Sequence, residues 1–301
     1  MIAGINASNG IFLADLTNLQ NKIAQEANQI SSGSRVNQAS DDPSAIASIL
    51  DYENSIDQIT QVQSNLDAAK TEAQTADRAL QSASTLLDQL VSIASQGASS
   101  SASPVTRTSL AVQVQAIGQQ LASIANTTVQ GRYIFGGDAV NTVPYTFDAT
   151  TPGWFVPSGA MPPSNTALLT NANGSQIVPR MTAEQIFASS SGNIFQAVSD
   201  LGQALQGANQ AGVETALTEL KTGVTQLGLS SMFYGNVENW IEQAGNEASS
   251  QLTNLQAALG GLRDTDVAAA ATQLSLDQTA LSAALSAHGN LDNRSLFNFL
   301  G

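Results

Sequence analysis

Few residues in this chain have the type and spacing that catalysis needs. His288 is the sole histidine, so a Ser-His-Asp relay would have to run through it. It ends an apolar helical series just before Gly289 and Asn290. There it reads as a solvated helix-end residue whose cation would suit the helix dipole. Asp41 and Asp42 are the nearest thing to a paired acid and base. Neighbours in a turn rarely point at one site, and helix capping accounts for one of them. Gly136-Gly137 follows a strand-like segment, but the Gly-Lys-Ser/Thr of a phosphate loop does not follow, so a tight turn is expected. No His-Glu-x-x-His occurs. The absence of cysteine removes disulfides, thiolate metal sites and a thiol nucleophile. The Asn-x-Ser/Thr matches at Asn6, Asn126, Asn173 and Asn293 are of a length that arises by chance. None of these residues is expected to form a catalytic, metal or cofactor site.

The elements around these residues are mostly helical. In "QISSGSRVNQASDDPSAIASIL", residues 29–50, apolar helical spacing flanks a glycine, an arginine, two aspartates and a proline. Before it, Leu16, Leu19, Ile23, Ala27 and Ile30 form one helix face. Gly33 can end that helix in the left-handed conformation. Asp42 and Pro43 suit the cap and first position of the next one. The stretch therefore reads first as a joint between two helices.

The second helix carries two seven-residue series. One is Ile59, Leu66, Ala73, Leu80, Leu87 and Ala94; the other is Val62, Ala69, Ala76, Ala83 and Leu90. Such a pattern predicts a coiled-coil-like seam, and residues 59–94 alone would span about 54 Å. "GASSSASPV" breaks the rod at 97–105, and Leu110, Val114, Ile117, Leu121 and Ile124 mark a third helix. Residues 131–180 hold six of the eight prolines and a cluster of aromatics. Short strands are expected there around 132–135, 142–147 and 154–156. Thr182 and Gln185 match a capping box, and Ile194, Ala197, Val198, Leu201 and Leu205 continue the helical pattern. The last third reads as long helix from Leu252 through Leu285, with a bend at Gly260-Gly261. The aromatics of "SSMFYGNVENWIEQ", 230–243, suit core packing or, through Trp240, an interface.

The predicted fold is mainly α: an elongated helical bundle or coiled coil of N- and C-terminal helices, with a small β-rich middle domain. Its expected segments are an N-terminal helix and turn (1–40), the first part of a helical rod (41–131), a β-rich insert (132–181), a helical return (182–250) and a C-terminal helix (251–301).

Composition bounds the partners. Hydrophobic residues make up 42% of the chain but aromatics only 5%, which suits helix-to-helix seams. Charged residues are 11%, about half the usual level. A net charge of −14 with ten basic residues argues against nucleic acid and anionic membrane surfaces. No run approaches the roughly 20 apolar residues of a membrane span, and "MIAGINASNGIFLADL" lacks the basic start of a secretory signal. The expectation is a soluble chain, or one exported by a route that leaves its N-terminus intact.

Several stretches together resemble the bacterial flagellin family. "QISSGSRVNQASDDPSAIA" is similar to the N-terminal turn of flagellins and their hook-associated relatives. "DTDVAAAATQLSLDQTALSAALSAHGNLDNRSLFNFL" is similar to their C-terminal helix. "GRYIFGGD" followed by "VPYTFD" resembles the start of the outer domain in the hook-associated protein 3 type, which joins hook to filament; "FYGNVENWIEQAGN" sits where that type has a helix start. The insert at 138–180 has no such match.

The resemblance implies a structural subunit, not an enzyme, needed for motility, with assembly helices in 1–40 and 251–301 and 132–181 as an outer insert, exported through the flagellar type III channel with the help of a chaperone. It implies packing with copies of itself, or with flagellin and hook-associated subunits, in a tubular assembly outside the cell. It implies subunit contacts through Arg35, Asn37, Asp41 and Asp42 in the turn, with Arg35 as the cross-subunit partner. It extends them to Leu16, Ile23, Ile30, Leu274, Leu281, Leu296, Phe297, Phe299 and Leu300 along the terminal helices. Two alternatives stay open: filament flagellin itself, and a secreted helical effector or coiled-coil signalling protein.

Overall fold

The computed structural model describes residues 2–151, 153–158, 165–190 and 192–300, and side chains between residues 10 and 289. Helices α1 (Ile2–Ser32), α2 (Pro43–Gly97) and α3 (Pro104–Ala125) fill the first part of the chain. Short strands follow as β1 (Thr128–Val129), β2 (Arg132–Tyr133), β3 (Tyr145–Phe147), β4 (Phe155–Pro157), β5 (Leu169–Thr170) and β6 (Gln176–Ile177). Then come α4 (Ala183–Phe187), β7 (Ala188–Ser189), β8 (Gly192–Asn193), α5 (Ile194–Gln206), α6 (Gln210–Arg263) and α7 (Val267–Leu300). Among the described residues the strands pair with their sequence neighbours, as antiparallel hairpins β1-β2, β3-β4, β5-β6 and β7-β8.

The chain groups into two compact units: residues 59–251, and residues 1–58 with 252–301. The helices α2 and α6 contribute to both. In the 59–251 unit the heptad series does what its spacing predicts. Leu66, Ala73, Leu80, Leu87 and Ala94 are buried, as are Ala76, Ala83 and Leu90. From α3, Leu110, Val114, Ile117 and Leu121 are buried, and from α5, Ile194, Ala197, Val198, Leu201 and Leu205. Buried Arg107 ties off the helix ends, its guanidinium donating to the carbonyls of Gly97 at 3.0 Å, Ser99 at 3.2 Å and Ala208 at 3.4 Å.

The strand-containing stretch adds its apolar residues to this same helical core. Phe135, Tyr145, Trp154, Phe155 and Leu169 all join the one cluster. Phe155 stacks on Phe195 of α5 at 4.1 Å, and Phe195 on Phe187 of α4 at 5.0 Å. At Gly202 of α5 the Trp154 ring lies where a Cβ would stand, so only glycine fits beneath that indole. Thr182 caps α4 with the reciprocal Gln185 bond that its spacing predicts.

Four expectations need correction. On the apolar face of α1 the half-buried residue is Glu26, and Ala27 is exposed. The C-terminal line of the chain does not bend at Gly260-Gly261 but breaks after Arg263. Asp266 is the cause: its Oδ1 accepts from the amides of Ala268 and Ala269, both at 3.0 Å, and so caps a new helix. "FYGNVENWIEQAGN" starts no helix; it lies inside α6. There Tyr234 is buried, accepting the Met181 amide at 3.1 Å, and Trp240 packs half-buried on the core. His288 does not end a helix either. It is half-buried within α7, its ring 4.0 Å from that of Phe12.

Candidate functional site

The joint between α1 and α2 is a densely bonded polar surface in the 1–58 and 252–301 unit. Gly33 ends α1 with φ +69°, the left-handed conformation that glycine adopts without strain. Asp41 then closes the turn from inside, its Oδ2 accepting the amides of Asn37 at 2.9 Å and Gln38 at 3.0 Å. Asn37 Nδ2 returns to the Ser34 carbonyl at 2.9 Å. Asp42 opens α2: its Oδ1 accepts from Ser44 Oγ at 2.6 Å and from the Ala45 amide at 3.2 Å. These are the bonds of a helix cap, with Pro43 in the first position. The Ser44 hydroxyl first, and then Arg35, hold the Asp42 carboxyl below the ordinary aspartate range.

The turn is also fastened across 220 residues and more of sequence. The Arg35 amide donates to the Arg263 carbonyl at 2.6 Å, and Ser34 Oγ donates to the same oxygen at 3.0 Å. The Thr265 amide donates back to the Gly33 carbonyl at 3.0 Å, and Ser34 bridges Asp264. Arg35 joins both sides: Nη1 meets Asp42 Oδ2 at 3.0 Å, and Nη2 meets the Leu262 carbonyl at 2.8 Å. Beneath lies a small apolar cluster of Val36, Ala45, Ile49 and Leu259. Beside it opens a cleft of about 490 Å³, with Ile46, Ile49 and Leu50 on its wall and Glu53 and Arg263 at its rim.

The four polar residues singled out in the turn are thus brought together, and all four are engaged within the chain. Arg35 keeps nearly half of its side chain exposed while making two internal bonds. Leu16, Ile23 and Ile30 of α1 are half-buried, as are Leu274 and Leu281 of α7, the helix packed against α1. Leu296, Phe297, Phe299 and Leu300 lie outside the residues whose side chains are described. Spacing did not reveal Ser34, Leu262, Arg263 or Thr265. Their parts are played largely by backbone groups, which carry no residue signature. Asp266 before Val267 was the one available signal for the break that frees them.

Nothing in this arrangement resembles a reaction centre. Among the described residues no group of three or more His, Cys, Asp or Glu is placed to hold a metal ion, and no helix is long and apolar enough to cross a membrane. The geometry is that of a fastening. Comparison with known families agrees: residues 5–139 match the bacterial flagellin N-terminal helical region, and residues 210–300 match the bacterial flagellin C-terminal helical region.

The chain belongs to the flagellin family.

As a flagellin-family protein it is a structural component of the bacterial flagellum and not an enzyme. Both faces of the fastening, residues 33–42 and 262–265, fall within the two matched regions. Solved structures share the fold. A Vibrio parahaemolyticus protein assigned as a flagellar hook-associated protein superposes with a TM-score of 0.65 at 22% identity, over 74% of this chain and 100% of that one. Flagellar hook associated protein-3 of Legionella pneumophila gives 0.60 at 17% identity, over 70% and 98%. FlgL of Bacillus cereus gives 0.56 at 20% identity, over 70% and 100%.

Proposed function

We propose that this flagellin-family chain is the hook-associated subunit that joins hook to filament. The observation that carries this reading is how fully it spans proteins of that kind. It covers 98% or more of the hook-associated and FlgL structures above, and "GRYIFGGD" (131–138) supplies the local resemblance. In this reading the chain leaves the cell through the flagellar channel with a chaperone's help. It then takes its place in a tube with copies of itself and with neighbouring flagellin and hook-associated subunits.

The subunit contacts in this proposal follow the fastening. The turn of Arg35, Asn37, Asp41 and Asp42, held rigid by its internal bonds, presents a fixed surface, and the neighbouring cleft offers apolar wall to the next subunit. Leu16, Ile23, Ile30, Leu274 and Leu281 hold the terminal helices together, and Leu296, Phe297, Phe299 and Leu300 carry the contacts to the end of the chain. Electron microscopy of a deletion strain tests the role. Hooks without filaments, with flagellin shed into the medium, are expected; loss of the flagellin itself would instead make this chain the filament protein. Deleting residues 291–301 should abolish assembly and motility while the 59–251 unit still folds.

A further inference from the structure

Half-buried residues of α1 recur at Phe12, Leu16, Leu19, Ile23, Glu26 and Ile30. Those of α7 recur at Ala270, Leu274, Asp277, Leu281, Ala284 and His288. Both series alternate steps of four and three, the spacing of a coiled-coil seam. The pairing of Phe12 with His288 and of Glu26 with Asp277 makes the two helices antiparallel.

One layer of this seam is made of two carboxylates. Glu26 and Asp277 face each other across it. Glu26 Oε2 and Asp277 Oδ2 are shut off from solvent, and neither meets an N–H or a hydroxyl. Asp277 Oδ1 is taken by Gln273 Nε2 at 3.0 Å. An ionised carboxylate only accepts, so two of them can bond to each other only through a proton that one of them carries. The charged groups acting on Glu26 are Asp277 from α7 and, one turn away on α1, Lys22, whose cation opposes protonation. Burial first, then the Asp277 charge and hydrogen bond, outweigh Lys22 and hold the Glu26 carboxyl above its ordinary 4.5.

We infer that Glu26 and Asp277 form a proton latch in the α1–α7 seam: one shared proton closes the layer, and its loss sets two negative charges against each other and loosens the pairing. The direction follows from linkage. A group that binds its proton more tightly when folded stabilises the folded form below its unfolded pKa, and that stabilisation fades as pH rises through the folded value. The latch is therefore fully engaged below about pH 4.5 and released on the way to neutrality. It also fixes register, since a slip of the helices would set each carboxylate against leucine or isoleucine. The inference does not depend on which flagellar role the chain plays.

The chain has no cysteine, so two spin labels can be placed without background. Gln20→Cys and Ser282→Cys put them on exposed faces of α1 and α7. Distances between them are read by pulsed electron paramagnetic resonance on the dilute full chain, from about pH 4 to about pH 8. With Glu26 and Asp277 intact, the closed-to-open ratio should fall as pH rises through the titration. Glu26→Gln, whose amide donates to Asp277 without titrating, should stay closed throughout, and Asp277→Asn should do the same. Asp15→Asn, which removes an exposed carboxylate of α1, should titrate like the parent. A parent that does not respond to pH, a Glu26→Gln chain that keeps the full response, or a broad distribution at every pH would each overturn the latch.

Discussion

Adding one methyl group at Gly202 should destabilise the 59–251 unit, and shrinking one side chain should reverse the sign of that effect. Gly202 sits in the middle of α5, where alanine would normally be favoured over glycine by about 1 kcal/mol. Here the space for a Cβ is taken by the indole of Trp154, itself only 2% exposed. Trp154 is boxed in against Phe147, 5.9 Å away, and cannot step aside cheaply. Overpacking of this kind costs about 1–3 kcal/mol, and an overlap with a rigid ring belongs at or beyond the upper end. Subtracting the propensity gain leaves Gly202→Ala destabilising by about 2 kcal/mol. For a unit of this size that lowers the melting temperature by about 4–8 °C.

The chain supplies its own assay. Both tryptophans, Trp154 and Trp240, lie in the 59–251 unit, so urea unfolding followed by tryptophan fluorescence reports that unit alone. In a Trp154→Leu background, read through Trp240, the ring is gone and only the propensity term remains. Gly202→Ala should then stabilise by up to about 1 kcal/mol. The coupling between the two changes, about 3 kcal/mol, is what a double-mutant cycle measures. If Gly202→Ala shifts stability by less than about 0.5 kcal/mol, or if its effect has the same sign in both backgrounds, the packing argument is refuted.

Other residues give equally direct tests. Arg180 pairs with Glu72 at 2.6 Å, both side chains less than a fifth exposed; Arg180→Met alone should cost about 3 kcal/mol in the same urea assay, and adding Glu72→Leu should recover most of it. Tyr234→Phe leaves the Met181 amide without its acceptor and should cost about 1–3 kcal/mol, with the fluorescence transition still cooperative. Asp42 titrates below its ordinary 3.8, so its cap bonds hold above that value and fail as pH falls through the folded one. Hydrogen exchange in residues 42–50, corrected for intrinsic rates, should rise on acidification below about pH 3.8, and Asp42→Asn should flatten the profile.

Much of the scaffold was written in periodicity. The series from Leu66 to Ala94 names the buried face of α2 residue by residue, because each position answers to one geometric rule. Gly33 and Asp42-Pro43 mark the joint by the conformations they favour. Other features had no such rule. Spacing around Ile23 and Ile30 favours Ala27 as the apolar member of the face, whereas the half-buried residue is Glu26, and only its partner Asp277 explains a carboxylate there. The aromatics near Tyr234 gave no sign that α6 runs through them unbroken, because their burial depends on Met181 and Phe135, far away in sequence.

The two breaks in the helices account for each other. A helix running unbroken through residues 252–300 would spend the carbonyls of Leu262 and Arg263 on its own ladder. The break after Arg263 frees them, and freed carbonyls at a helix end need donors from elsewhere. The turn supplies these donors: the Arg35 amide and Ser34 Oγ for Arg263, and the Arg35 guanidinium for Leu262. Without the freed carbonyls those donors would lose their acceptors, and without the turn the carbonyls would lose their donors. Gly33, Arg35 and Asp42 on one side and Asp266 on the other therefore encode a single joint. Only reading the two ends of the chain together could reveal it.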